Sequence, residues 1–159
     1  MTRRLIVLFL AVSAASAFLL WPAGGGAASR TQTLRFYDQP VSIKLTRADG
    51  TVVGRAPYPE ARPGDTLDVV SLDYAGDHAR HARRWTASTH LRCVFRTGPP
   101  TCESHVAIGG SQLVFTGDPG TLTNGTGIYL GATGRVISST EVPGTGDGSD
   151  IVVKIRLRS

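Results

Sequence analysis

A chain of 159 residues carries 17 Lys and Arg against 12 Asp and Glu, a net charge of +5, and 41% of it is hydrophobic. That length and apolar content suit one domain around one core. So modest a charge does not call for a nucleic acid or an acidic membrane as partner. The chain opens on a leader. Arg3 and Arg4 precede an apolar run from Leu5 to Leu20, and Trp21-Pro22 breaks that run before Gly24-Gly25-Gly26-Ala27-Ala28. Small residues at that point suit a signal peptidase, so a signal peptide over 1–28 is expected, with a secreted domain over 29–159. The apolar run also approaches the length needed to span a bilayer, which makes an uncleaved anchor the alternative. Either way the folded part is exported, and once cleaved it is expected to have no stable association with a membrane. Loss of Arg3 and Arg4 with the leader lowers the net charge from +5 to +3.

Past the leader the chain reads as strands and turns. Leu34 to Arg47 is a strand pair or one long bent strand, with Pro40 marking an edge or a bulge. Asp49-Gly50 signals a tight turn into Thr51-Val52-Val53, and the prolines of Ala56 to Asp65 make that stretch a loop. Thr66 to Ala75 is a strand with Leu67 and Val69 on one face and Val70, Leu72 and Tyr74 on the other. The run His78-Ala79-Arg80-His81-Ala82-Arg83-Arg84, diluted by Asp73 and Asp77, reads as a solvated loop, and no nucleic acid is expected to bind it. Trp85, Ala87, Thr89, Leu91, Cys93 and Phe95 share one face of the next strand. Gly98-Pro99-Pro100 turns the chain into Cys102–Ile108, and Gly109-Gly110 separates that strand from Gln112–Thr116. In the last strand Ile151, Val153, Ile155 and Leu157 point one way and Lys154, Arg156 and Arg158 the other, as in a sheet covered on one side. Short strands, glycine turns and no helical period predict an all-β barrel or sandwich.

Cys93 and Cys102 flank the Gly98-Pro99-Pro100 turn almost symmetrically. In an exported chain such a pair is expected to close as a disulfide. Neither they nor His78, His81, His90 and His105 show the ligand spacing of a metal site, so no metal and no cofactor is expected.

The densest signal is Asn124–Val136, N-G-T-G-I-Y-L-G-A-T-G-R-V, with Gly125, Gly127, Gly131 and Gly134 inside thirteen residues. Glycines so close point to a backbone that bends sharply or is closely approached by another strand. A phosphate loop would need a helix directly behind it, and Arg135-Val136-Ile137-Ser138-Ser139-Thr140 is strand-like instead. This block resembles the signature of the allene oxide cyclase and dirigent proteins. Phe36-Tyr37-Asp38-Gln39-Pro40 followed by Val53-Gly54-Arg55-Ala56 resembles the dirigent pattern of an aspartate-proline strand and a V-G-R-A turn, in the same order. The resemblance runs from about Leu34 to Leu157. It implies a single antiparallel β-barrel of eight strands with a hydrophobic lumen, often in homo-oligomers, and it tips the choice from sandwich to barrel.

The resemblance also names candidate residues. Asp38 matches an acidic residue that serves the cyclases and faces the pocket in dirigent proteins, which makes it the candidate catalytic acid or base. A carboxyl in an apolar barrel would have a raised pKa and could exchange protons with a substrate; a strand-end aspartate capping the turn before Pro40 is the plain alternative. Candidate ligand contacts are Tyr37, Tyr74 and Tyr129 through their hydroxyls, and Arg55 in the V-G-R-A turn. Tyr37 falls on the face opposite Asp38 if the strand is regular. The plant cyclases carry a lumen cysteine on the strand that Leu91-Arg92-Cys93-Val94-Phe95 resembles, a role a disulfide would deny to Cys93. Two family features are missing. Ile128, Leu130 and Thr133 stand where dirigent proteins carry arginines, and Pro40 replaces the cyclase asparagine. The expected protein is a secreted barrel binding a small apolar unsaturated molecule, as a cofactor-free cyclase, isomerase or stereo-directing protein. A non-catalytic carrier or a structural secreted protein is the alternative.

Overall fold

A computed structural model describes residues 30–54, 58–117 and 119–158. The expected signal peptide and Arg55 lie outside the described residues. Among the described residues ten strands appear in chain order: β1 (Thr31–Thr46), β2 (Val52–Val53), β3 (Thr66–Asp77), β4 (Arg80–His81), β5 (Ala87–Val94), β6 (Thr101–Ile108), β7 (Ser111–Thr116), β8 (Thr121–Gly125), β9 (Thr133–Glu141) and β10 (Ser149–Arg156). Eight of them close a barrel. The antiparallel order β1-β10-β9-β8-β7-β6-β5-β3 returns to its start because β1 also pairs with β3. The two-residue strands β2 and β4 only lengthen hairpins.

Closure depends on the length of β1. Its first half, Thr31–Asp38, pairs with β10, and Phe36–Thr46 pairs with β3. The register shifts between Pro40 and Ser42, where proline lacks the N–H a ladder needs and the strand bends. With every barrel strand paired on both sides, no barrel edge is left open.

The two ends of the barrel differ. At one end, the connection between β8 and β9 folds inward as a 3-10 turn, Gly127–Tyr129. It seats Tyr129 and Ala132 in a cluster with Leu113, Phe115, Leu122, Val153 and Ile155, a plug of fully or nearly buried side chains. Gly125 allows this return, because a Cβ there would overlap the carbonyl oxygen of Tyr129. Gly134 allows β10 to approach β9, since a Cβ on it would stand 2.5 Å from the Lys154 carbonyl oxygen. The glycine block is thus a packing device, with no helix behind it.

At the other end the loop before β3 is tied down by Asp65. Its carboxylate pairs with the Arg47 guanidinium at 2.5 Å and accepts hydrogen bonds from the Ala48 and Arg62 amides. This anchor holds Tyr58 beside β1, where its hydroxyl donates to the Ile43 carbonyl.

Cys93 and Cys102 stand directly opposite one another on β5 and β6 and form a disulfide. The loop it closes is short, so replacing both by serine is expected to lower stability by about 2–3 kcal/mol. A urea melt of the double variant checks this, and an unchanged midpoint would refute it.

Candidate functional site

Alternation along the strands turns one face of each inward. On β3 the inward set begins with Leu67 and Val69 and continues through Ser71 to Asp73; on β5 it holds Thr89, Leu91 and Cys93. The core plug fills only one end of the interior. The rest is a cavity of about 790 Å³, walled by Leu34, Phe36, Leu67, Val69, Leu91 and Ile151 among others. Its rim is built by connecting loops at the unplugged end, where Tyr58, Pro119, Gly120 and Asp147 reach it. A volume of this size suits a small organic ligand. Trp85 and Phe95, read as sharing a face with Thr89, Leu91 and Cys93, do not line it. Strand β5 begins only at Ala87, which leaves Trp85 57% exposed in the preceding loop.

One stretch of the wall is polar. Asp38 on β1 and Asp73 on β3 are direct cross-strand partners, both turned into the cavity and both buried, at 8% and 2% exposure. Their carboxyl groups share a hydrogen bond, Ser71 bonds to Asp38, and the Thr89 hydroxyl donates to Asp73 at 2.7 Å. On the other side of Asp38, Ser149 of β10 is its register partner and also faces the cavity.

Two carboxyl groups in contact cannot both ionise cheaply, least of all out of water. Burial pushes Asp38 above the usual carboxylate range, against the hydrogen bonds from Asp73 and Ser71 that favour its charged form. Burial pushes Asp73 further, to about 8, helped by its hydrogen bond to Asp38 and by that neighbour's negative charge. The proton therefore resides mainly on Asp73, which donates it to the Asp38 carboxylate. Such a pair can give a proton to a bound molecule or take one from it near neutral pH. Among the described residues no cluster of side chains is arranged to hold a metal ion.

Asp38 is therefore placed in the lumen, and the plain turn-capping role does not describe it. The tyrosines are placed elsewhere, a correction to their reading as ligand contacts. Tyr37 and Tyr74 are cross-strand partners on the barrel's outer face, where the His81 ring packs on both. The hairpin carrying His81 is pinned there by His78, whose backbone amide and ring bond to Asp150 at 2.7 and 2.6 Å. Tyr129 lies in the plug and does not line the cavity. Cys93 lines the cavity but is held in the disulfide, so it offers no free thiol there.

Asp73 is the member of the site that the sequence reading missed. The signal was present: a period of two from Leu67 and Val69 runs directly to Ser71 and Asp73. Its nearness to Asp77 and the His/Arg run made it look like part of a wet loop.

No family model and no curated protein matches the chain. Two solved structures share its architecture. One is a pyocyanin demethylase, 13% identical with a TM-score of 0.54, aligned over 80% of this chain and 100% of its own. The other is a pterocarpan synthase dirigent protein, 13% identical with a TM-score of 0.53, aligned over 84% of this chain and 87% of its own. The likeness is one of fold, and the fold is the dirigent-like barrel that the motifs led us to expect.

Proposed function

We propose that the barrel binds one small, largely apolar molecule in its lumen and acts on it by proton transfer, without a cofactor. The observation that carries this reading is a single one: two buried carboxyl groups side by side in the wall of a largely apolar cavity. Asp73 supplies the proton and Asp38 the carboxylate, while the apolar wall orients the substrate and keeps bulk water away. Rate comes from confinement and from a carboxyl poised near neutral pH. An unsaturated molecule that cyclises or isomerises after protonation fits such a site. The demethylase and the pterocarpan synthase dirigent protein are built on the same barrel type, which supports small-molecule chemistry in the lumen without naming the substrate. The disulfide supports an exported location, since such bonds persist in oxidising compartments. A carrier that holds the same molecule without turnover is the second reading, favoured by the absence from this chain of the arginines and the asparagine of the plant motifs.

Native mass spectrometry of the full chain incubated with a library of apolar unsaturated compounds tests the reading. One molecule is expected per barrel. Val69→Trp, which fills the lumen, is expected to abolish binding. Binding that survives in Val69→Trp would overturn the lumen as the site. For a neutral molecule so found, Asp38→Asn is expected to leave affinity within about threefold while lowering turnover at least about a hundredfold, the scale of a lost general acid or base. Absence of turnover in the unsubstituted protein would leave the carrier.

A further inference from the structure

The cavity's ionisable groups have one sign. Asp38 and Asp73 sit in its wall and Asp147 at its rim; the remaining polar groups are hydroxyls, chiefly Ser71, Thr89, Ser104, Ser139 and Ser149, with the Tyr58 phenol at the rim. Among the described residues no lysine, arginine or histidine lines it. From this geometry we infer that the lumen selects apolar ligands that carry a basic nitrogen, an amine or a nitrogen heterocycle, and rejects apolar carboxylates. The inference rests on the lumen being a ligand site and specifies what chemistry enters it.

The physical case is one of desolvation. A charged ligand entering an apolar cavity loses its water and needs a partner of opposite sign there. An ammonium group finds the Asp38 carboxylate, already oriented by Ser71 and by the proton of Asp73. A carboxylate finds hydroxyl groups only, and meets the negative charge of the pair at close range. A neutral apolar molecule lies between, gaining the wall contacts and nothing from the pair. A neutral base can also take the proton that Asp73 holds, so that ion pair and ligand form together without a net change in charge.

Protonation gives the preference a pH dependence. The groups that face the pair are Ser71, Ser149 and Thr89, which do not titrate in this range, and Asp147 at the rim. A permanent cation gains as the pair loses its second proton, which burial holds on until about pH 8. Its affinity is expected to rise between pH 6 and pH 8, with proton release on binding.

Three probes with one skeleton decide the matter: 2-naphthylmethanol, 2-naphthylmethylammonium and 2-naphthoate, titrated into the full chain by calorimetry at pH 7. The ammonium is expected to bind about ten- to a hundredfold more tightly than the alcohol, the range of a charge-assisted hydrogen bond. The carboxylate is expected to bind more weakly than the alcohol. In Asp38→Asn the ammonium should fall to the affinity that the same variant shows for the alcohol. Equal binding of alcohol and ammonium, or preference for the carboxylate, would overturn the inference and leave the lumen site standing. Failure of all three probes to bind would remove the lumen as a ligand site, and the inference with it.

Discussion

Asp73→Asn makes the barrel more stable at pH 8 and flattens its stability between pH 4 and pH 8. An ordinary surface aspartate would show neither effect. The native state holds a proton on Asp73 up to about pH 8, whereas an unfolded chain releases it near the ordinary aspartate value of 3.8. Between those two values the folded state binds more protons than the unfolded one, so stability is fully present below about pH 4 and falls as pH rises toward 8. Asp38, raised by burial in the same direction, titrates as one pair with Asp73, while the lowered carboxylates act outside this window. Backbone donors at Thr51 and Arg62 lower Asp49 and Asp65, and the His78 hydrogen bonds outweigh burial at Asp150. Their contributions are present above their unfolded pKa and are lost only at more acid pH.

Asparagine at 73 keeps the shape, donates its amide hydrogen to Asp38 and accepts from Thr89, but has no proton to lose. Each pKa unit is worth about 1.4 kcal/mol, so after discounting for the coupling to Asp38 a gain of the order of 2–4 kcal/mol at pH 8 is expected. In a domain of this size that corresponds to roughly 10 °C in melting temperature. Melts of both proteins at half-unit steps from pH 4 to pH 9 read it directly. Parallel curves for the two proteins would mean that Asp73 ionises normally and that no proton is shared. The same substitution removes the proton the site needs, so it should trade activity for stability, as substitutions in strained functional sites do.

The strands were legible because one face of each is buried. Ile151, Val153 and Ile155 alternate with Lys154 and Arg156 and lie in β10 as read, and the bend at Pro40 is where proline cannot pair. Closure of the barrel was not legible in any local pattern. It depends on β1 pairing with β10, more than a hundred residues away, and only the resemblance of two motifs pointed to it. The same distinction runs through the site. Asp38 was found through a motif, while Asp73 needed the knowledge that β3 lies beside β1 in a register that sets the two opposite. Tyr37 was expected on the face away from Asp38 and is there, but its cover of Tyr74 and His81 depends on a hairpin folding over the outer wall. Trp85 looked like a strand residue because it keeps the period of Ala87 and Thr89, yet the chain enters β5 only after it.

Gly125→Ala costs about 3 kcal/mol or more, several times the cost of Gly131→Ala six residues on. The two glycines stand on either side of the Gly127–Tyr129 turn and serve different ends. At Gly131, with φ of +68°, a Cβ meets the flexible side chain of Arg158, whose Cδ at 3.2 Å can move aside; the cost is then mostly the left-handed backbone, about 1 kcal/mol. At Gly125 a Cβ overlaps the Tyr129 carbonyl oxygen and stands 3.0 Å from the carbonyl carbon and the Tyr129 Cβ. Backbone cannot rotate out of the way as a side chain can. Relief requires the Gly127–Tyr129 turn to lift, which pulls Tyr129 and Ala132 out of the plug and exposes the end of the core they close. Loss of a buried aromatic from its packing alone is worth about 3 kcal/mol. Urea midpoints of the two variants separate the cases. Equal costs would show that the glycines are selected for backbone freedom alone. A large difference ties the motif to the plug, and so to the feature that makes the lumen a blind pocket open at one end.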